Sequence, residues 1–164
     1  MKIETNTTAD GNQLVIRAAT RDDAEAIGEF ARQFADYLRS LGDPTDFRFN
    51  AEAYRRDGFG PNPAFSGLVA ELDERVVGYL LYNFSYDTDK AIRFLYVLDL
   101  YVHDSARRHG AGRALMQAAA AICREAGGSE LVWVVYARNR LAFTFYESLG
   151  AQHAKDLQIM YWPV

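Results

Sequence analysis

Residues 98–115 read LDLYVHDSARRHGAGRAL, and this stretch decides how the chain folds. Its first part is an apolar strand, which runs into a short polar turn and then into an Ala-rich helix. Gly110 and Gly112 stand where the helix begins, and Gly127 and Gly128 follow its end. The stretch therefore predicts a strand, a tight turn and a helix in direct succession.

The glycine turn has the properties of an anion site. The first N–H groups of a helix have no partner within it, and the helix dipole makes that end positive. A phosphate placed there satisfies both, and glycine lets the backbone approach it closely. Arg107, Arg108 and Arg113 add positive charge. Two interpretations follow, an ordinary turn or a phosphate site, and neither the dinucleotide fingerprint nor a Walker A motif is present.

The periodicity of the remaining chain predicts an α/β (α+β) fold. Residues 1–12 show no apolar period and are predicted to be a flexible tail, which leaves 13–164 as a single domain. Hairpin-linked strands come first and helix-linked strands later, which predicts a mixed, mostly antiparallel sheet of about six to seven strands with helices on both faces. The predicted strands are 14–18, 65–71, 76–86, 91–103 and 131–136, with one or two more in 152–162; the predicted helices are 20–41, 51–56, 111–126 and 141–149.

Composition excludes several classes of protein. The net charge of −4 argues against a nucleic-acid partner. No apolar run approaches the roughly 20 residues of a membrane span, and residues 1–13 lack the apolar stretch of a signal peptide, so a cytoplasmic location is expected. Cys123 is alone, and the histidines are scattered, so we expect neither a disulfide nor a metal site. At helical spacing with apolar residues, Cys123 is predicted to be a core residue.

Two segments together resemble the GNAT acyltransferase superfamily. Arg107-x-x-Gly110-x-Gly112 is similar to the Q/R-x-x-G-x-G/A signature of that family. The second segment, VVYARNR at 134–140, follows at the expected distance. The resemblance covers nearly the whole chain. It implies a GNAT acyl-CoA N-acyltransferase fold, an N-acetyltransferase activity with acetyl-CoA as co-substrate, and no metal. Exposed strands near the C-terminus favour a homodimer, as in many relatives.

The resemblance also implies roles for individual residues. Acetyl-CoA is expected to pair as an extra strand with the backbone of β-strand residues 100–102, and its pyrophosphate to meet the turn. Tyr146 aligns with the tyrosine that protonates the leaving thiolate, and Asp99 either takes the amine proton through water or orients the ammonium. The expected cofactor-binding set is Leu100, Tyr101, Val102, Arg107, Arg108, His109, Gly110, Ala111, Gly112, Arg113, Asn139, Ala142 and Tyr146.

A narrower resemblance concerns residues 78–87, GYLLYNFSYD, and 95–100, LYVLDL. They are similar to the diamine (spermidine/spermine) N-acetyltransferase branch, which implies that the acceptor is a primary amine of a small diamine-like, polyamine-like or lysine-like molecule. Leu98 stands where those enzymes carry a glutamate, so spermidine is expected to be a poor match. The expected substrate-binding residues are Tyr82, Tyr86, Asp87 and Leu98. The alternatives are a protein or peptide amine as acceptor, and a non-catalytic module that only binds acetyl-CoA.

Overall fold

A computed structural model describes residues 2–7, 11–154 and 157–163. By its contacts the chain divides into two units, Met1–Val134 and Val135–Val164. The first unit holds one sheet of six strands in the order β1-β2-β3-β4-β5-β6. The strands are β1 (Lys2–Thr7), β2 (Gln13–Ala18), β3 (Ser66–Leu72), β4 (Arg75–Asp87), β5 (Ile92–Val102) and β6 (Gly128–Val132). Neighbouring strands are antiparallel except β5 and β6, which are parallel.

Three α-helices cover this sheet. They are α1 (Ala24–Ser40), α2 (Ala51–Gly58) and α3 (Ala111–Glu125). The side chain of Asn50 caps α2 by accepting the Ala53 N–H at 2.9 Å. The helices α1 and α2 pack with Val69, Tyr79, Leu81 and Tyr101 in one cluster of buried residues.

The opposite face of the sheet is also buried from solvent. Leu68 and Leu80 alternate with the residues of the α1 cluster, and both are fully buried. The helix α3 contributes its own buried stripe, which includes Leu115 and Cys123, and it packs on the strands of the sheet. The Cys123 thiol lies 3.3 Å from the carbonyl of Glu130. The sheet therefore has helices on both faces, as predicted, and Cys123 is a core residue.

The second unit contains α4 (Arg140–Ser148). The side chain of Asn139 accepts the Ala142 N–H at 3.1 Å, so it caps the start of this helix. Gly150, at a φ of +88°, follows its end. The rings of Phe143 and His153 stack with their centroids 5.2 Å apart.

Two predicted features at the chain ends were wrong. Lys2–Thr7 of the expected tail forms β1, which pairs with β2; an edge strand needs no apolar period, and Ile3, Thr5 and Thr7 suit a strand. Met1 and residues 8–10 lie outside the described residues. In 152–154 and 157–163 the structure has no strand where one or two were predicted, and the large apolar side chains of 157–162 are exposed. Residues 155 and 156 lie outside the described part.

One predicted strand is displaced. Residues 131–136 were expected to be extended, whereas β6 begins at Gly128 and ends at Val132. A Cβ on Gly128 would lie 2.6 Å from the Cys123 sulfur, so this glycine allows β6 to begin directly against α3. The single-domain assignment of 13–164 stays a prediction.

Candidate active site

The strand β5 carries a β-bulge at Leu98. Val97 pairs with Tyr82 and Asp99 pairs with Leu81, which leaves Leu98 without a partner on β4. Because one residue is extra, odd-numbered residues change from one face of the sheet to the other. Val97 is buried, Leu98 is 45% exposed, and Asp99 turns toward the α1 face. The bulge therefore decides which side chains of β5 meet the candidate site.

Beyond the bulge, one edge of β5 is not covered by a strand in the described part of the chain. β6 pairs with β5 only over Arg93–Tyr96. The His103 N–H donates to the Val77 carbonyl at 2.8 Å. In an antiparallel pair every second residue bonds the partner strand, and here these residues are counted from His103. Leu100 and Val102 consequently turn their backbone groups away from β4, whereas Tyr101 turns its own toward β4. On this edge the Leu100 N–H bonds the Asp99 carboxylate and the Val102 carbonyl accepts from Arg107. The Leu100 carbonyl and the Val102 N–H are the groups left to pair with a ligand.

The turn after β5 brings several backbone N–H groups together. Arg108 has a φ of +71° and Gly110 a φ of +85°. The first intrahelical bond of α3 runs from the Ala114 N–H to the Gly110 carbonyl at 2.9 Å. The N–H groups of Ala111 and Gly112 therefore precede that ladder, at the positive end of the helix dipole. A helix start of this kind can bind an anion, and the assignment of the pyrophosphate to it stays a prediction.

Arg107 does not extend toward that helix start. Its Nη2 lies 2.7 Å from Asp104, and its Nε donates to the Val102 carbonyl at 3.2 Å. Its guanidinium also lies 6.0 Å from the centre of the Tyr101 ring. The side chain thus ties the turn to the end of β5, while the side chains of Arg108 and Arg113 are exposed at the surface.

Asp99 makes the most chemically informative contact. The hydroxyl of Tyr79, a fully buried residue of β4, donates to its carboxylate. Burial raises the pKa of Asp99 to about 6, although the Tyr79 hydrogen bond and the Leu100 N–H act in the opposite direction. Burial also raises the pKa of Tyr79 well above its ordinary value, so that tyrosine stays a donor. Asp99 itself is half-buried. It is a carboxylate that can accept a proton near neutral pH.

The expected substrate residues do not all reach this point. Tyr82 pairs with Val97, beside the bulge. Tyr86 pairs with Arg93, six positions before Asp99, which corresponds to about 20 Å along the strand. Asp87 caps the turn after β4 by accepting the Asp89 N–H at 2.9 Å. The structure therefore keeps Leu98 beside Asp99, but strand alternation places the Tyr82 side chain on the opposite face of the sheet from Asp99. Tyr86 and Asp87 lie at the far end of the β4–β5 pair, as a surface residue and a turn cap.

The second unit holds the remaining predicted residues. Asn139 and Ala142 meet in the cap of α4, and Asn139 is buried. Tyr146 is half-buried, one turn beyond Ala142, with its ring 5.1 Å from that of Phe145. The three positions lie at i, i+3 and i+7, on one face of the helix. The role of Tyr146 as a proton donor stays a prediction.

The sequence matches the family model "Acetyltransferase (GNAT) family" over residues 30–151. This chain belongs to the GNAT acetyltransferase family. It is 36% identical to a thialysine N-epsilon-acetyltransferase from Bos taurus over 153 residues, which cover 88% of each chain. It is 30% identical to the spermidine/spermine N(1)-acetyltransferase-like protein 1 of Homo sapiens over 103 residues, which are 58% of this chain and 15% of that protein.

A solved structure has the same fold. An integron cassette protein from the mobile metagenome of V. cholerae superposes with a TM-score of 0.75 at 21% identity, over 92% of this chain and 93% of that one. The predicted fold class, family and diamine-type branch are confirmed. This GNAT protein is an acetyl-CoA-dependent N-acetyltransferase.

The residues present fit acetyl-CoA. At the open edge, the Leu100 carbonyl and the Val102 N–H are an acceptor and a donor of the kind that the amides of pantetheine require. The N–H groups of Ala111 and Gly112 would meet the pyrophosphate at a positive helix end. Within the described residues no group of three or more His, Cys, Asp or Glu could hold a metal ion. Among the described helices, none combines the length and the hydropathy needed to cross a bilayer.

Sequence reasoning missed Tyr79 as a functional candidate. The residue lies within a strand that was predicted, but its partner on β5 depends on the bulge at Leu98. No local pattern in the sequence marks the position of that bulge. The signal that could have found Tyr79 is a polar aromatic residue at an inward position of a strand, where a buried hydroxyl needs a partner.

Proposed function

We propose that this GNAT enzyme acetylates a primary amine of a small lysine-like or diamine-like molecule by direct attack in a ternary complex. The observation that carries the proposal is Asp99, a half-buried carboxylate with a pKa of about 6 that adjoins the uncovered edge of β5. A group with that pKa is mostly ionised at neutral pH and can still accept a proton. The amine nitrogen and the acetyl group would meet beside this residue.

The reaction balances with two proton transfers. The amine nitrogen attacks the thioester carbonyl, a C–N bond forms, and the C–S bond breaks. The nitrogen loses one proton and the leaving sulfur gains one. Asp99 takes the first proton through water, or holds the ammonium while solvent water takes its protons, and Tyr146 supplies the second.

The exposed side chain of Leu98 favours an acceptor molecule that carries few positive charges. Its exposed apolar side chain adjoins Asp99, so this point of the site offers one carboxylate and not two. A second ammonium near leucine would lose water without gaining an ion pair. The relative from Bos taurus is named for a lysine analogue, and the human one for polyamines. We therefore favour a lysine-like amine over spermidine.

The acceptor is tested by thiol release from acetyl-CoA with a panel of amines. The panel contains thialysine, lysine, ornithine, putrescine, spermidine, an aminoglycoside and a short peptide with a free N-terminus. We expect the highest kcat/KM with a lysine-like amine. A peptide as best acceptor would support a protein substrate. Acetyl-CoA binding without thiol release from any amine would instead indicate a non-catalytic module.

The partners and the location are part of the same proposal. We propose a cytoplasmic homodimer without nucleic-acid or membrane partners. The net charge of −4 supports the absence of nucleic acid. The side chains of Leu157, Met160 and Trp162 are 78–91% exposed, which is the kind of apolar surface that a second copy would cover. Light scattering after size exclusion tests the dimer, and a monomer at micromolar concentration would contradict it.

A further inference from the structure

Tyr79 is a buried hydroxyl whose bonding partner is the site carboxylate. The side chain is fully buried between β5 and α1, and its hydroxyl donates to Asp99. Its ring lies 6.5 Å from that of Tyr101, centre to centre, and the Tyr101 hydroxyl donates to Gln33 of α1 at 3.0 Å. The two neighbouring tyrosines thus serve different partners.

The bulge at Leu98 makes this contact geometrically available. Tyr79 pairs with Tyr101 across the strands, and Asp99 is the diagonal neighbour on the same face. Without the extra residue, Leu98 would stand opposite Leu81 in the position that Asp99 occupies. The contact therefore exists because β5 has one residue more than β4 at this point.

We propose that Tyr79 is a positioning residue, whose buried hydroxyl holds the Asp99 carboxylate in the orientation that meets the acceptor amine. The inference rests on the function proposed above for Asp99. It adds a residue of β4 that does not contact the substrate and acts through Asp99.

Tyr79 is the side chain that bonds the Asp99 carboxylate, and the other charged groups of this face bond elsewhere. Asp99 receives the Tyr79 hydroxyl from β4 and the Leu100 N–H from its own strand. Tyr101 is the next titratable group on this face, and beyond it lie Asp104 and Arg107, which bond each other. On α1 the charged groups Glu29, Arg32 and Asp36 bond one another at the surface, and on α2 the hydroxyl of Tyr54 donates to the Thr20 carbonyl.

The test is the substitution Tyr79→Phe, which keeps the ring and removes the hydroxyl. A hydrogen bond to a charged group stabilises it by an amount equivalent to about one to two pH units. We therefore expect the pKa of Asp99 to rise from about 6 by about one unit or more. The carboxyl carbon of Asp99 reports this pKa by NMR titration of the free protein, and the acid limb of kcat against pH should move in the same direction.

Tyr54→Phe is the matched control. Tyr54 is a buried tyrosine of the same core cluster, and it bonds a backbone carbonyl instead of Asp99. It should lower the thermal stability as Tyr79→Phe does, without moving the pKa of Asp99. A pKa of Asp99 that is the same in Tyr79→Phe and wild type would overturn the proposal. A raised pKa with an unmoved kcat profile would support the Tyr79 contact and contradict the proposed role of Asp99 in the reaction.

If Tyr79→Phe does not fold, 3-fluorotyrosine at position 79 retains the hydroxyl. Its hydroxyl is a stronger donor than that of tyrosine, so the pKa of Asp99 should fall below its wild-type value. An unchanged pKa in that protein would overturn the proposal, because a hydroxyl that holds the carboxylate must transmit its own acidity.

Discussion

The anion site at the start of α3 can be tested by a graded series at Gly112. The substitutions are Gly112→Ala, Gly112→Gln and Gly112→Glu, which add a methyl group, a long neutral side chain and a carboxylate of the same length. Position 112 lies in the first turn of α3, beside the N–H groups that precede the helical ladder. Ala, Gln and Glu all favour helix over Gly, and a carboxylate in the first turn is favourable. All three proteins should therefore fold.

The magnitude follows from the charge that Glu brings to a pyrophosphate. Two unit charges at about 5 Å interact by about 1–3 kcal/mol at effective dielectric constants between 80 and 20. Since about 1.4 kcal/mol is a factor of ten in affinity, Gly112→Glu should bind acetyl-CoA about 5- to 150-fold more weakly than Gly112→Gln. The comparison of Glu with Gln removes the steric contribution, which both side chains share.

Isothermal titration calorimetry with acetyl-CoA measures the series, and circular dichroism checks the fold. Raising the salt concentration to 1 M shortens the screening length to about 3 Å, so the ratio between Gln and Glu should then shrink toward one. Equal affinities of the Glu, Gln and wild-type proteins at low salt would refute the assignment of the pyrophosphate to this turn. Equal affinities of the Gln and Glu proteins, both weaker than that of the wild type, would show that the loss is steric.

Further predictions concern four other positions. Tyr146→Phe should lower kcat by about 10²–10⁴-fold and leave acetyl-CoA affinity unchanged, as steady-state kinetics and calorimetry would show. Leu98→Glu should raise kcat/KM for spermidine relative to lysine, because it adds a carboxylate beside Asp99; an unchanged ratio contradicts this. Gly110→Ala should lower the free energy of unfolding by about 1–2 kcal/mol in denaturant titrations, since the φ of +85° is costly for alanine. Asp99→Asn should raise the melting temperature at pH 7.5 and not at pH 3.5. Folding raises the pKa of Asp99 from 3.8 to about 6, so the stability that its protonated carboxyl contributes is fully present below pH 3.8 and is lost as the pH rises through about 6.

The parts of the site that sequence predicts are those set by neighbouring residues. The glycine turn is local: Gly110 adopts the positive φ that glycine permits, and α3 begins directly after it. The predicted helices α1 to α4 follow from apolar spacing and from caps such as Asn50 and Asn139. These features depend on residues a few positions apart, so they can be predicted from the sequence.

The contact between Tyr79 and Asp99 cannot be predicted from neighbouring residues. It joins residues twenty positions apart, and it depends on the register between β4 and β5. A hairpin fixes its register through its turn, but a bulge seven residues beyond that turn changes it again. β1 was missed for a related reason, because its strand structure depends on pairing with β2 and its own sequence is polar.

The bulge at Leu98 joins the two halves of the proposed site. Before it, β5 pairs with β6 on one side and keeps Val97 in the core; after it, that edge is open in the described residues, and Asp99 faces α1. One extra residue thus coincides with both the exposed backbone that we propose pairs with acetyl-CoA and the carboxylate that we propose meets the amine. If the strand were regular, Leu98 would face α1 beside Tyr79, and the buried hydroxyl would have leucine as its neighbour. The placement of Asp99 next to the open edge is therefore a consequence of backbone geometry.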